Sequence, residues 1–144
     1  MEFMSYKQQV ASYQMANATL HKTRQLVLLY DAVIRFLRQA KVAIEEQRYE
    51  DRMNLLQKCN NIIVGLHSAL DFEQGGDISK MLNNFYSAMD LRIMAVNRTN
   101  NTAELEQIIN EIKTMRDAWA EIDEKYGSGN PPPAGGADGS SFNA

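Results

Sequence analysis

The sequence predicts an all-α protein. The expected architecture is an antiparallel, up-down-up-down four-helix bundle over residues 21–126, with an N-terminal arm over 1–20 and a flexible Gly/Pro/Ser-rich tail over 127–144. Three observations predict it. All three prolines (Pro131, Pro132 and Pro133) and five of the eight glycines lie beyond Tyr126, so the strongest helix breakers are kept out of the preceding stretch. Apolar side chains recur there in steps of four and three residues, the rhythm of one helix face. No run alternates with the period of two that a half-buried strand requires.

The elements follow in order. The first 20 or so residues are weakly patterned and read as an arm packed on the bundle. Met1, Glu2 and Phe3 precede a second methionine, Met4, and read as an expression scar. The first helix carries Leu26, Tyr30, Val33, Leu37, Ala40 and Ile44 on one face. The second carries Leu56, Cys59, Ile63, Leu66 and Leu70, and should end before a loop over Asp71–Asp77. Gly75 and Gly76 mark that loop, and Asp77 is the expected cap of the third helix. The third stripe is Ile78, Leu82, Phe85, Met89, Ile93 and Val96, broken over Arg98–Thr102. Thr102 is the expected N-cap of a fourth helix bearing Leu105, Ile108, Ile112, Met115, Trp119, Ile122 and Tyr126. Helices of about 20 residues are about 30 Å long, and short connections force sequential helices to lie antiparallel.

A chain of 144 residues is long enough to bury one real core. A net charge of -3 argues against a dedicated nucleic-acid binder. The lone cysteine, Cys59, excludes an internal disulfide framework and fits a reducing cytosol; it sits on an apolar stripe, where it reads as a small buried hydrophobe. No apolar run approaches the roughly 20 residues of a membrane span, and no secretory signal is visible, so a cytoplasmic location is expected. Neither His21 nor His67 has a glutamate three residues before it, as a bundle di-iron site would need. No glycine-rich phosphate loop is present either, and no metal, cofactor or catalytic residue is predicted. His67 on a helix face leaves a phosphotransfer domain as an alternative. The residues after it, Ser68, Ala69, Leu70 and Asp71, supply a carboxylate where phosphoryl transfer wants a cation, so a partly packed histidine near a helix end is the simpler reading.

More apolar surface is on offer than four stripes use. On the second helix Leu55, Ile62 and Ala69 form a line beside Leu66 and Cys59, and Met53 widens the arc. Leu91 and Met94 point away from the third stripe, and Leu28 and Val42 away from the first. The functional reading is a groove for a partner helix. The alternatives are cover by the arm, helices buried on two sides, or self-association into a homodimer or larger structural bundle.

Ser12-Tyr13-Gln14, then Gln25-Leu26-Val27-Leu28-Leu29-Tyr30-Asp31 and on to Leu37, resemble the start of the flagellar secretion chaperone FliS family. Ile62-Ile63, Leu66, Leu70-Asp71 and Gly75-Gly76-Asp77-Ile78 are similar to that family's second helix and following turn. Arg116-Asp117-Ala118-Trp119 resembles its Arg-x-x-Trp closing motif. Two departures stand out: Lys22-Thr23-Arg24 where the family often has Ser-Pro or Thr-Pro, and Phe85-Tyr86-Ser87-Ala88-Met89 where it usually has Leu-Tyr-Asp-Tyr-Met. The resemblance implies a cytoplasmic, non-enzymatic bundle that binds the C-terminal segment of flagellin and blocks its premature polymerisation before type III secretion. It leaves room for other flagellar assembly or regulatory proteins as partners. It also implies that the arm, with Tyr6 and Tyr13, covers part of the client site when that site is empty. The leftover apolar arcs make Leu55, Ile62, Leu66, Leu91 and Met94 the expected groove contacts, with Tyr13 as the arm contact. Tyr30 and Trp119 are expected to anchor packing, and Asp31 to tie to a loop or to the arm.

Overall fold

The structure, a computed structural model, describes residues 22–126; the arm over 1–20 with Tyr6 and Tyr13, and the tail over 127–144, lie outside the described residues. Four helices account for nearly all of it: α1 (Lys22–Glu45), α2 (Tyr49–Ser68), α3 (Phe72–Thr99) and α4 (Thr102–Tyr126). No strand occurs among the described residues. Each helix packs on its neighbours in sequence and α4 closes back on α1, while backbones on the two diagonals stay apart. The section is therefore a square.

Side-chain pairs fix the directions. Along α1, Thr23 bonds Asp123 at 3.0 Å, Asp31 pairs with Arg116 at 2.8 Å and Lys41 with Glu106 at 3.1 Å, so α4 runs down as α1 runs up. Between α2 and α3, Arg52 bonds Asn100 at 2.7 Å, Asn60 bonds Asp90, and His67 bonds Asn83. That seam is antiparallel too. The thinnest seam is α3 against α4, where Arg92 bridges to Glu104 at 2.6 Å and to Glu111 at 2.9 Å. The Arg92 hydrogen bond holds the Glu104 carboxyl below its ordinary range.

Every residue of the expected α1 stripe is buried. On α3 the better-buried line is Leu82, Tyr86, Met89, Ile93 and Val96, with Phe85 only half-buried beside it. The steps of that line are four, three, four and three, a cleaner helical period than one passing through Phe85. Burying side chains of this size stabilises by about 1.5–3 kcal/mol each, which is what turns four marginal helices into one core.

The turns correct four expectations. The helix after Asp71 begins at once: Asp71 Oδ1 accepts from the backbone N–H of Glu73 and Gln74, so Asp71 and not Asp77 is the cap. The expected loop is thus largely the first turn of α3, set off from the rest of that helix by a kink at Gly76, where φ is 53° and ψ is -126°. Helix α3 also continues to Thr99, leaving Asn100 and Asn101 as the whole link to α4. Asn100 takes the left-handed conformation and its N–H returns to Val96. Asn101, not Thr102, caps α4 by accepting from Glu104 N–H at 3.0 Å.

Two substitutions at turns should shift stability in opposite directions. An added Cβ at Gly76 would meet nothing within 4 Å, so Gly76→Ala costs only backbone strain, about 1–3 kcal/mol. At the end of α1, Gln47 has φ 60°, its N–H bonds Ile44 and the Arg48 N–H bonds Ala43. That pairing usually places glycine at the left-handed position. Gln47→Gly is expected to stabilise by about 1 kcal/mol. Urea midpoints of the two variants check both signs.

Candidate functional site

Two sequence motifs distant in the chain meet across the bundle. Tyr30 on α1 is 2 % exposed, and its hydroxyl lies 2.8 Å from that of Tyr86 on α3, across the diagonal. The side chain of buried Trp119 on α4 also acts on the Tyr30 hydroxyl, favouring its ionised form. One residue on, Asp31 takes a two-pronged hold from Arg116, Nε to Oδ1 at 2.8 Å and Nη2 to Oδ2 at 3.4 Å. Asp31 is expected to tie to a loop or the arm; its partner among the described residues is Arg116 on α4. Leu-Tyr-Asp and Arg-x-x-Trp therefore form one clamp, with a buried half and a solvent-facing half. The ion pair is partly exposed and contributes no more than about 1 kcal/mol, so its effect is orientation.

Burial pushes the Tyr30 hydroxyl up to about 12, against the lowering effect of Tyr86 and Trp119. Burial likewise pushes the Cys59 thiol up, which leaves it protonated and unreactive at neutral pH. For Tyr30 the folded state holds its proton to higher pH than the unfolded chain. Its contribution is then complete below pH 10 and falls as pH rises from 10 to 12, by about 2–3 kcal/mol. Urea titrations from pH 9 upward should show this loss. Tyr30→Phe should remove the part that begins near pH 10, and Cys59→Ala the part that begins near pH 9.

His67 is half-buried; its Nε2 is engaged by Asn83 and its ring lies 6.2 Å from that of Tyr86. Together with Asn60–Asp90 and Arg52–Asn100 it forms a polar ladder along the α2–α3 seam. Among the described residues no group of three or more side chains is placed to hold a metal ion. No described helix is long and apolar enough to cross a membrane.

The expected contact residues divide. Leu91 is 70 % exposed and Met94 58 %, both on the outer face of α3. Ile62 and Leu66, each 7 % exposed, are in the core cluster instead of on the surface. A helix touching two neighbours buries a wider arc than one stripe predicts, and α2 lies between α1 and α3. Leu55 is half-buried against the same core, and Tyr13 lies outside the described residues. The structure adds exposed apolar residues that stripe counting passed over. These are Val64, 50 % exposed, and Met81, 48 %; Met53, which widens the expected arc of α2, is 47 % exposed. Val64 stands four residues from Asn60 and Met94 four from Asp90, so the Asn60–Asp90 bond is flanked by apolar side chains from both helices. The signal was available, since Val64 lies about 100° round the helix from the Leu56–Cys59–Ile63 line.

The bundle presents exposed apolar side chains on the outer face of α3, and comparison with known proteins shows its family. The family model described as flagellar protein FliS matches residues 4–126. The chain belongs to the FliS family. The FliS of Vibrio cholerae, named a flagellar secretion chaperone, is 32% identical over 122 residues, covering 85% of this chain and 88% of its own. That of Campylobacter jejuni, with the same name, is 29% identical over 112 residues, covering 77% and 88%. That of Bacillus subtilis is 28% identical over 132 residues, covering 88% and 98%. FliS is a family of chaperones, not of enzymes. The clamp of Tyr30, Asp31, Arg116 and Trp119 lies inside the matched region.

Proposed function

We propose that this chain is a cytosolic export chaperone that binds the disordered C-terminal segment of flagellin and keeps it from polymerising before type III secretion. The observation that carries the reading is the exposed apolar outer face of α3, Leu91 and Met94, in a chain of the FliS family. The names of the relatives support the export role.

The physical account is short. A disordered segment buries an apolar helix face on docking and loses conformational freedom at the same moment. That ordering typically costs about 2–5 kcal/mol, so affinity stays moderate for the area covered, as release at an export gate requires. Leu91 and Met94 are the principal contacts, with Met53 and Val64 beside them on α2. Ile62 and Leu66 support this face from beneath. Leu55 and Tyr13 are contacts for a client that wraps beyond α2 and reaches the arm.

Calorimetric titration with a synthetic peptide from the flagellin C-terminus tests it. Saturable binding with a negative heat-capacity change is expected, and a peptide from the flagellin N-terminus should not bind. Absence of binding across several flagellins would overturn the reading.

A further inference from the structure

A second surface lies on the opposite side of the bundle. Helices α1 and α3 occupy diagonal corners, so their outer faces point away from each other. Leu28, Arg35 and Val42 follow one another at seven-residue intervals along α1, a line about 21 Å long. Leu28 is 56 % and Val42 44 % exposed, and Arg35 between them is exposed as well. Beside this line half-buried Phe36 is held between two cations from different helices. Arg35 Cζ is 5.1 Å and Lys58 Nζ, from α2, is 5.3 Å from the ring centroid. Arg38 adds a third exposed positive charge one turn along.

Among the described residues neither Arg35, Arg38 nor Lys58 takes part in an ion pair. Of the acids on α1 and at the start of α2, Asp31 is paired with Arg116 and Glu46 and Asp51 with Arg48, while Glu45 acts on Lys41. Two like charges held at one ring repel each other, and a carboxylate brought alongside them relieves that repulsion. Cation–π contact positions both heads at a cost each recovers only in part at an exposed site. The face is therefore apolar along its length and positive at its centre, without a counter-charge of its own.

We propose that this α1–α2 face docks an amphipathic helix of another protein that carries acidic side chains beside an apolar stripe. Leucine-type side chains of the partner lie on Leu28, Phe36 and Val42, and its carboxylates meet Arg35, Lys58 and Arg38. Three cations on a chain of net charge -3 make a poor anchor for an anionic bilayer, and the elongated shape fits a helix better than a headgroup. This surface is separate from the α3 face and does not rest on the reading given to that face.

The test uses the full chain and a synthetic 18-residue helix with a leucine stripe flanked by glutamates. Its counterpart has lysines in place of the glutamates. In fluorescence anisotropy the acidic peptide should bind and the basic one should not. Arg35→Glu with Lys58→Glu should weaken the acidic peptide at least tenfold, and Arg35→Gln with Lys58→Gln by a smaller factor. The neutral pair keeps the test usable where charge reversal impairs folding. Binding of the flagellin C-terminal peptide should be unchanged in both variants. Equal binding of the two peptides, or acidic binding indifferent to these substitutions, would overturn the proposal. So would capture of the chain by phosphatidylglycerol vesicles with no binding of the acidic peptide.

Discussion

Leu91→Asp combined with Met94→Asp is expected to weaken binding of the flagellin C-terminal peptide by about a hundredfold while leaving the bundle folded. Each side chain is more than half exposed in the free protein, so each has its burial still to gain on docking. Fully burying a leucine or methionine is worth about 1.5–3 kcal/mol, and about 1.4 kcal/mol is tenfold in affinity. An aspartate in either place forfeits that gain and adds a carboxylate to be desolvated. The cost to the free protein is small, because neither side chain contributes to the core cluster. Aspartate in a helix interior lowers stability by about 0.5 kcal/mol. Calorimetry and thermal melts on the same samples separate the two effects. A large loss of thermal stability would show that this face is structural.

Trp119→Ala should have the opposite profile. Trp119 is 3 % exposed and sits where α1, α3 and α4 meet through Tyr30 and Tyr86. Truncating a buried tryptophan costs about 3–5 kcal/mol from lost contacts and the cavity left behind. Against a typical total stability of about 5–15 kcal/mol, that is enough to leave a fraction of the chain unfolded near 37 °C. Trp119→Phe keeps most of the apolar volume and should cost less than half as much. Far-ultraviolet circular dichroism in urea reads both, since each variant removes the only tryptophan. A Trp119→Ala protein as stable as the parent would contradict the clamp as described.

The helical plan was legible because its two strongest determinants are local. A long stretch without proline, and apolar residues spaced in fours and threes, need no knowledge of the partner helix to be read. Leu91 and Met94 were legible for the same reason, since they lie far from their own stripe. What a single helix does not reveal is how many neighbours it touches. Ile62, beside the α2 stripe, and Leu66, on it, were both expected to reach the groove, yet α2 is packed from two sides and buries the wider arc. Turn chemistry was legible only in part. The Gly75-Gly76 pair marked a break, but two aspartates flank it, and only the fold decides that Asp71 meets the free N–H groups. Gln47 in a left-handed turn carries no sequence signal, because glycine or asparagine usually stands there. The partners of Asp31 and Tyr30 depend on how residues 85 and 56 positions apart come level in the bundle, which periodicity does not encode.

Methionine methyl resonances test the central claim most directly, because the chain carries its own reporters at graded depths. Met53 and Met94 flank the α2–α3 face and are exposed, while Met89 is 2 % exposed in the core. With the methionine methyl groups labelled with carbon-13 and the flagellin C-terminal peptide added, the Met53 and Met94 signals should shift and saturate together, and Met89 should stay in place. A titration in which Met89 moves while Met53 and Met94 do not would place the client inside an opened bundle and contradict docking on the outer face.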